Sequence, residues 1–330
     1  MTLESLMLPP LYPLTFTPMF KERIWGGRHL ETLYGKPLPP AVRVGESWEI
    51  CDRPEDETVI ARGPLQGRTL GWLMKHCPGD LLGPRQPFPA RFPLLIKIID
   101  AQDMLSLQVH PPADVAARLG GEPKTEMWYV ARAEPGAELF VGLKTGVTRA
   151  EFERKLAAQT VAECFHRIAA REGDAMFLPS GRVHALGAGM VIFEVQQNSD
   201  TTYRVFDWNR MDSHGKTREL HVPQSLASID YGDFEPALLP RTVTAAQPGT
   251  IRPLVRDELF TVDLRQWGGG DQLAWPRGRM RILGVVAGAM RIEGAGETVE
   301  LGAGQFCLIP ARCEETTARA QGPVTFLEIQ

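Results

Sequence analysis

Three short segments carry side chains able to hold a metal ion or move a proton. In Leu105-Ser-Leu-Gln-Val-His110, extended backbone puts Leu105, Leu107 and Val109 on one face and Ser106, Gln108 and His110 on the other. The first face is core; the second is a row of three polar groups ending before the strand-breaking pair Pro111-Pro112. In Lys124-Thr-Glu126-Met-Trp128 the same alternation aligns Lys124, Glu126 and Trp128. The third segment, Gly173-x5-Pro179-x-Gly181-x2-His184, sets a histidine at a fixed distance from a glycine turn. Taken singly, a strand-end histidine is most often a hydrogen-bonded structural group, and a Lys and a Glu two apart are most often a solvated face. Their company changes that reading.

The third segment matches the second motif of the cupin β-barrels up to its histidine, with Ala188 where that motif carries Asn. Gln108-x-His110 supplies the counterpart of the first motif, whose paired ligands sit two apart on one strand. Gln108, His110, Glu126 and His184 then offer an amide oxygen, two imidazoles and a carboxylate. That set suits zinc, with a position left open for water or substrate.

More widely, the chain resembles the type I mannose-6-phosphate isomerases in their short bacterial form. The resemblance rests on Ile24-Trp-Gly-Gly27, Gly45-Glu-Ser-Trp-Glu49, Leu94 to Pro111, Lys124 to Tyr129, Gly173 to His184, and Glu194 to Trp208, in the right order. Beyond about residue 240 it weakens to likeness of fold. The resemblance implies one zinc ion per chain, bound by Gln108, His110, Glu126 and His184. It also implies interconversion of mannose 6-phosphate and fructose 6-phosphate through a cis-enediol, with a small sugar phosphate as partner. Arg204 and Ser106 then belong to the phosphate side, since Arg forks onto phosphate oxygens and Ser adds a neutral donor. Lys97 and Arg210 are further cations for that role. For Arg204, the alternative is a structural salt bridge with Asp200 or Asp207. The proton-transferring base is Glu194 or Lys124, with Glu194 ranked first: a carboxylate takes and returns a proton without leaving positive charge beside the metal. Glu194 follows His184 by ten residues across Gly187-Ala-Gly189, so a hairpin is expected to bring both to one site. Glu46 is either strand-end solvation, the reading favoured here, or a group at the site's edge. His29, His76, His166, His214 and His221 match no motif and are expected to be ordinary surface or core residues.

The elements that must position these groups are mostly strands. Short alternating apolar runs recur at 92–99, 104–110, 126–131, 138–143, 190–196, 280–286 and 305–309, punctuated by glycines and prolines. Helical signals fall at 68–83, at a capping box from Thr148 to Glu151, and at a second such pattern from Thr160 to Glu163. The expected fold is mainly β: two cupin-like (jelly-roll) β-barrels with short helical insertions. A composition shift near 232–253 predicts an N-terminal metal-binding domain over 1–240 and a C-terminal β-domain over 241–330. Gly304-x5-Pro310 repeats the spacing of Gly173-x5-Pro179, which points to one turn-strand-turn unit used in each half. After Pro310, however, Arg312 and Glu315 stand where the cupin pattern wants Gly and His, and no His follows His221. The C-terminal barrel is therefore expected to be degenerate and free of metal.

Composition narrows the classes. With 36 Lys+Arg against 40 Asp+Glu, the net charge of −4 argues against a nucleic-acid partner. The longest apolar run, at 92–96, is stopped by Lys97, far short of a membrane span, and the N-terminus carries no signal-peptide pattern. The five cysteines form no Cys-x-x-Cys pair, so a cytoplasmic protein with buried thiols is expected. Competing functions are a cupin isomerase for another sugar phosphate and a non-catalytic metal-containing sugar-binding or sensing cupin. An iron dioxygenase fits less well, because Gln is an unusual Fe(II) ligand. Lys124, Glu194 and Arg204 together favour an enzyme, since binding alone needs no enediol base.

Overall fold

The computed structural model describes residues 9–84, 86–211 and 216–330. Its chain divides into two compact units. One comprises the segment ending at Met19, Glu49–Pro93 and Thr242–Gln330; the other comprises Phe20–Trp48 and Leu94–Arg241. The sequence expectation put everything before residue 240 in one domain, whereas here the first 93 residues are shared between both units. The reason lies at a sheet edge. Leu14 and Leu308 exchange two backbone hydrogen bonds of 2.8 Å, and the amides of Ala311 and Arg312 donate to Leu81 and Asp80 at 2.9 Å. Segments from early in the chain thus satisfy backbone groups at and just beyond the strand Phe306–Ile309, which would otherwise be an open edge.

In the unit built from 20–48 and 94–241, one sheet runs Ala175–Leu178, Glu126–Ala133, Met190–Gln197, Leu94–Ala101, Val44–Ile50 and Met19–Gly27. The second runs Phe165–Ala169, Glu138–Leu143, His184–Leu186, Leu107–Val109 and Tyr203–Phe206. The strand pairs from Leu94–Ala101 through Tyr203–Phe206 are antiparallel. Period-two alternation lets each sheet turn one apolar face inward: Ile99, Trp128, Val130 and Ile192 meet Leu139, Val141 and Leu186 in one core. The other face of the second sheet buries Val109, Phe140 and Val205 against Phe152 of the helix Arg149–Ala157. That helix begins where its cap predicts, with the Thr148 hydroxyl accepting from the Glu151 amide. The helix expected over 68–83 is instead two, Leu70–His76 and Pro78–Leu82, because Cys77 before the proline is non-helical at φ −147°. The pattern at Thr160 yields only one 3₁₀ turn, Val161–Cys164.

The 242–330 part repeats the plan. One sheet runs Thr244–Ala245, Thr250–Arg256, Thr261–Trp267, Val324–Ile329, Arg281–Ala287 and Phe306–Ile309; the other runs Gln272–Trp275, Thr316–Ala320, Ala289–Gly294 and Glu297–Gly302. Numbered from Leu94–Ala101 and from Thr261–Trp267, the eight strands of each part stack in the same order, which is jelly-roll connectivity used twice. The two Gly-x5-Pro segments occupy the same strand in each copy, Ala175–Leu178 and Phe306–Ile309. Among the described residues no helix is long and apolar enough to cross a membrane.

Candidate metal centre and substrate cavity

Strand pairing assembles the four expected ligands. His184 lies directly opposite Gln108 on neighbouring strands of one sheet, and Glu126 opens a strand of the other sheet. The ligand atoms of His110, Glu126 and His184 lie within 4.8 Å of one another, and all three residues are buried. His184 Nε2 is 3.2 Å from Glu126 Oε1, His110 Nε2 is 3.4 Å from Glu126 Oε2, and Gln108 Nε2 is 3.3 Å from His184 Nε2.

The protonation states suit a cation. His110 Nδ1 is 2.8 Å from the Thr201 carbonyl, and His184 Nδ1 is 2.9 Å from the Arg182 carbonyl. A carbonyl only accepts, so each Nδ1 carries the hydrogen and each Nε2 turns a lone pair to the centre. Burial, then the Lys124 charge, pushes His110 down to about 4, and burial lowers His184 as well. Burial works against the charge on Glu126, yet Lys124, 3.0 Å away, and then His110 hold its carboxyl well below the usual range. Two lone pairs and a carboxylate therefore converge. His110 Nε2 and both Glu126 oxygens are buried without a well-formed hydrogen bond. Such groups cost about 1–3 kcal/mol each unless something satisfies them, and a bound cation does so. The residues fit a divalent metal of the borderline kind that takes nitrogen and oxygen ligands. Gln108 joins them if its amide makes a half-turn and presents oxygen.

Beside this cluster opens a cavity of about 430 Å³, lined by Lys97, Lys124, Glu194 and Arg204 among others. Its walls are built from alternating charges. Glu194 lies in register with Lys97 on one side and Trp128 on the other. Its Oε1 accepts from the Trp128 indole at 2.9 Å, and its Oε2 is 3.2 Å from Lys97 Nζ. Burial opposes the Lys97 charge, but Glu194 and Glu46 raise its pKa beyond the ordinary lysine value. Burial likewise opposes ionisation of Glu46, yet Lys97 and Arg23 bring its carboxyl down to about 2. Arg23 forks onto both Glu46 oxygens at 3.0 and 3.2 Å, and the Trp48 indole donates to one of them at 2.7 Å. This fork needs the strands Met19–Gly27 and Val44–Ile50 close together: a Cβ on Gly45 would meet the Arg23 and Trp25 side chains at 2.5–2.7 Å.

The expected groups are therefore distributed unevenly. Ser106, Lys97, Lys124, Glu194 and Arg204 all line the cavity with Gln108, and Glu46 does too, so the solvation reading favoured for it does not describe its place. Arg204 sits across from Gln108 in register and donates to the Glu219 carbonyl at 2.7 Å; it makes neither ion pair weighed for it among the described residues. Arg210 is not among the lining groups: its guanidinium binds Asp207 and the Met104 carbonyl. The expected hairpin at 187–189 is absent. His184–Leu186 and Met190–Gln197 belong to different sheets, and the chain crosses between them where Gly189 adopts φ +81°. His221 is not incidental either, since its Nδ1 accepts from the Arg204 amide at 3.2 Å. His29 lies 3.2 Å from buried Asp100, and His214 falls outside the described residues. Arg23 and Arg218, which also line the cavity, carry no local motif that would have marked them.

The C-terminal copy shows what replaced the site. Leu178 pairs with Glu126, and its counterpart Ile309 pairs with Arg281; two residues on, Trp128 pairs with Glu194 and Leu283 with Glu328. The position of the ligand carboxylate is thus an arginine, 3.2 Å from Glu328, which Arg265 also binds. Glu315, where the motif histidine would stand, is exposed. An arginine held by Glu328 thus stands where the first copy has Glu126.

Residues 14–131 match the family model for the phosphomannose isomerase type I catalytic domain. A probable mannose-6-phosphate isomerase of Bacillus subtilis strain 168 is 34% identical over 309 residues, covering 93% of this chain and 96% of that protein. A second B. subtilis protein, a mannose-6-phosphate isomerase, is 40% identical over 223 residues, 66% of this chain and 68% of that one. The crystal structure of a B. subtilis mannose 6-phosphate isomerase superposes with a TM-score of 0.87 at 30% identity, covering 97% of this chain and 100% of that chain. An Archaeoglobus fulgidus structure at 21% identity and TM-score 0.76 shares the fold, covering 98% of each chain.

Proposed function

The chain belongs to the type I phosphomannose isomerase family, and from that premise we propose that it interconverts mannose 6-phosphate and fructose 6-phosphate with one zinc ion per chain. The observation that carries this reading is the buried His110–Glu126–His184 cluster, with Gln108 beside it, next to a cavity lined by both acidic and cationic groups. When bound, zinc supplies a Lewis acid for the sugar oxygens that carry enediolate charge. Arg204 and Ser106 take the phosphate group. Glu194 removes the proton from C2 of the open-chain aldose and returns it to C1, while the hydroxyl proton passes from O2 to O1. Lys97 and the Trp128 indole hold that carboxylate in one place. Glu194 is preferred to Lys124 because a carboxylate takes and returns a proton without leaving positive charge beside the metal.

The same reading assigns the catalytic role to the part before residue 240 and a metal-free structural role to the barrel after it. It places the protein in the cytoplasm, in keeping with five cysteines that are all free and buried. The test is a coupled assay for fructose 6-phosphate formed from mannose 6-phosphate, run beside metal analysis of the purified protein. Turnover lost to a chelator, restored by zinc, at one zinc per chain is the expected result. A zinc-loaded protein that forms no fructose 6-phosphate overturns it, and activity on a different sugar phosphate reassigns the substrate.

A further inference from the structure

Around Asp207 the charges do not balance. Arg204, Arg210 and Arg218 converge there: Arg210 binds Asp207 Oδ1, Arg218 Nη1 stands 3.6 Å from the same oxygen, and Arg204 feels both neighbouring guanidinia. Three guanidinia share this one buried carboxylate; the other acids near them are exposed Asp103, 3.7 Å from Arg210, exposed Glu219, and Glu46, which Lys97 and Arg23 already hold. The donors are not all used. Arg204 Nε and Arg218 Nη1 are buried without a hydrogen-bond partner. Arg204 and Arg218 line the cavity with Ser106, whereas Arg210 does not.

This placement comes from pairings far apart in sequence. Met211 bridges to Thr217, which turns the chain back on itself. The returning segment then runs beside Tyr203–Phe206, with the His221 amide donating to the Arg204 carbonyl at 2.9 Å and the Arg204 side chain to the Glu219 carbonyl. Arg218 is thereby delivered next to Asp207. Arg204 in turn lies in register with the expected ligand Gln108, so the cationic end and the metal end share one wall. A sugar phosphate has this polarity, with its reacting carbons at one end and a dianion at the other.

We propose that Arg218 is a second anchor for the phosphate group, acting with Arg204, and so sets the preference for phosphorylated over free sugar. The inference rests on the reading of the cavity as a sugar-phosphate site. A forked guanidinium matches phosphate oxygens, and a dianion offsets the positive charge that the three arginines carry beyond their carboxylate partners. The test uses Arg218→Gln and Arg218→Lys in the zinc-loaded full chain, with inorganic phosphate as probe by titration calorimetry and as inhibitor. Loss of one charge-assisted contact weakens phosphate binding by about tenfold or more in Arg218→Gln. The fall in kcat/KM on mannose 6-phosphate should come mainly through KM and exceed the fall on free mannose by about tenfold, with Arg218→Lys intermediate. Unchanged phosphate affinity and KM in a folded, zinc-containing Arg218→Gln protein overturn the anchor. So do equal losses on both sugars accompanied by a lowered Tm, which mark a structural arginine. If the wild type binds phosphate through Arg218 yet does not isomerise mannose 6-phosphate, the anchor stands and the proposed reaction falls.

Discussion

The buried Lys97–Glu194 pair should couple by about 2 kcal/mol in a double-mutant cycle of Lys97→Met, Glu194→Gln and both together. Both side chains are about 5% exposed or less and lie 3.2 Å apart. At an effective dielectric of about 20, opposite charges at that distance attract by roughly 5 kcal/mol, most of which offsets the cost of removing them from water. Lys97→Met leaves Glu194 with only the Trp128 indole, an uncompensated buried carboxylate, and should cost about 3–5 kcal/mol. Glu194→Gln should cost less, because Glu46 still faces Lys97. In the double variant neither orphan remains, so its loss should fall short of the sum. Urea denaturation of the zinc-loaded proteins, with m-values compared across the four, measures the cycle. Strictly additive losses would mean that the two charges do not hold one another, and the account of how Glu194 is positioned would fail with them.

His184→Ala should lose stoichiometric metal and nearly all turnover, as read by metal analysis and the coupled assay; full occupancy with normal rate would remove His184 from the ligand set. Arg204→Ala should lower kcat/KM on mannose 6-phosphate about tenfold or more beyond its effect on free mannose. Glu194→Gln should keep zinc and substrate binding while losing most turnover; if it turns over normally and metal-bound Lys124→Met is dead, the base is Lys124. Acid stability tests Glu46. Its carboxyl is at about 2 when folded against an ordinary 4.5, so the unfolded chain binds a proton that the folded one refuses as pH falls from 4.5 to 2. Stability should drop over that window, by up to about 3 kcal/mol from this group, and the Glu46→Gln protein should show a shallower drop than wild type in acid denaturation.

The residue types and spacings by themselves determined that the protein is β-rich, and pointed to Gln108, His110, Glu126 and His184 as a metal-type donor set with no counterpart in the second half. These features are local: alternation of two decides which side chains share a strand face, and a glycine turn followed by a proline fixes where a histidine emerges. Register between distant strands is not local. Only the tertiary structure set Gln108 between His184 and Arg204, and Glu194 between Lys97 and Trp128. The crossing at 187–189 looked like a hairpin because a Gly-Ala-Gly turn reads the same whether the next strand pairs back or joins the facing sheet. Arg210, expected at the cavity, is not there, and Arg218, which no motif marked, is, for a similar reason. Asp207, three residues before Arg210, captures that guanidinium, and a bridge between Met211 and Thr217 brings Arg218 to the cavity instead. The early segments that pack against the C-terminal barrel were invisible for want of any pattern: what recruits them is the open edge of Phe306–Ile309, and an edge exists only once the sheet has formed.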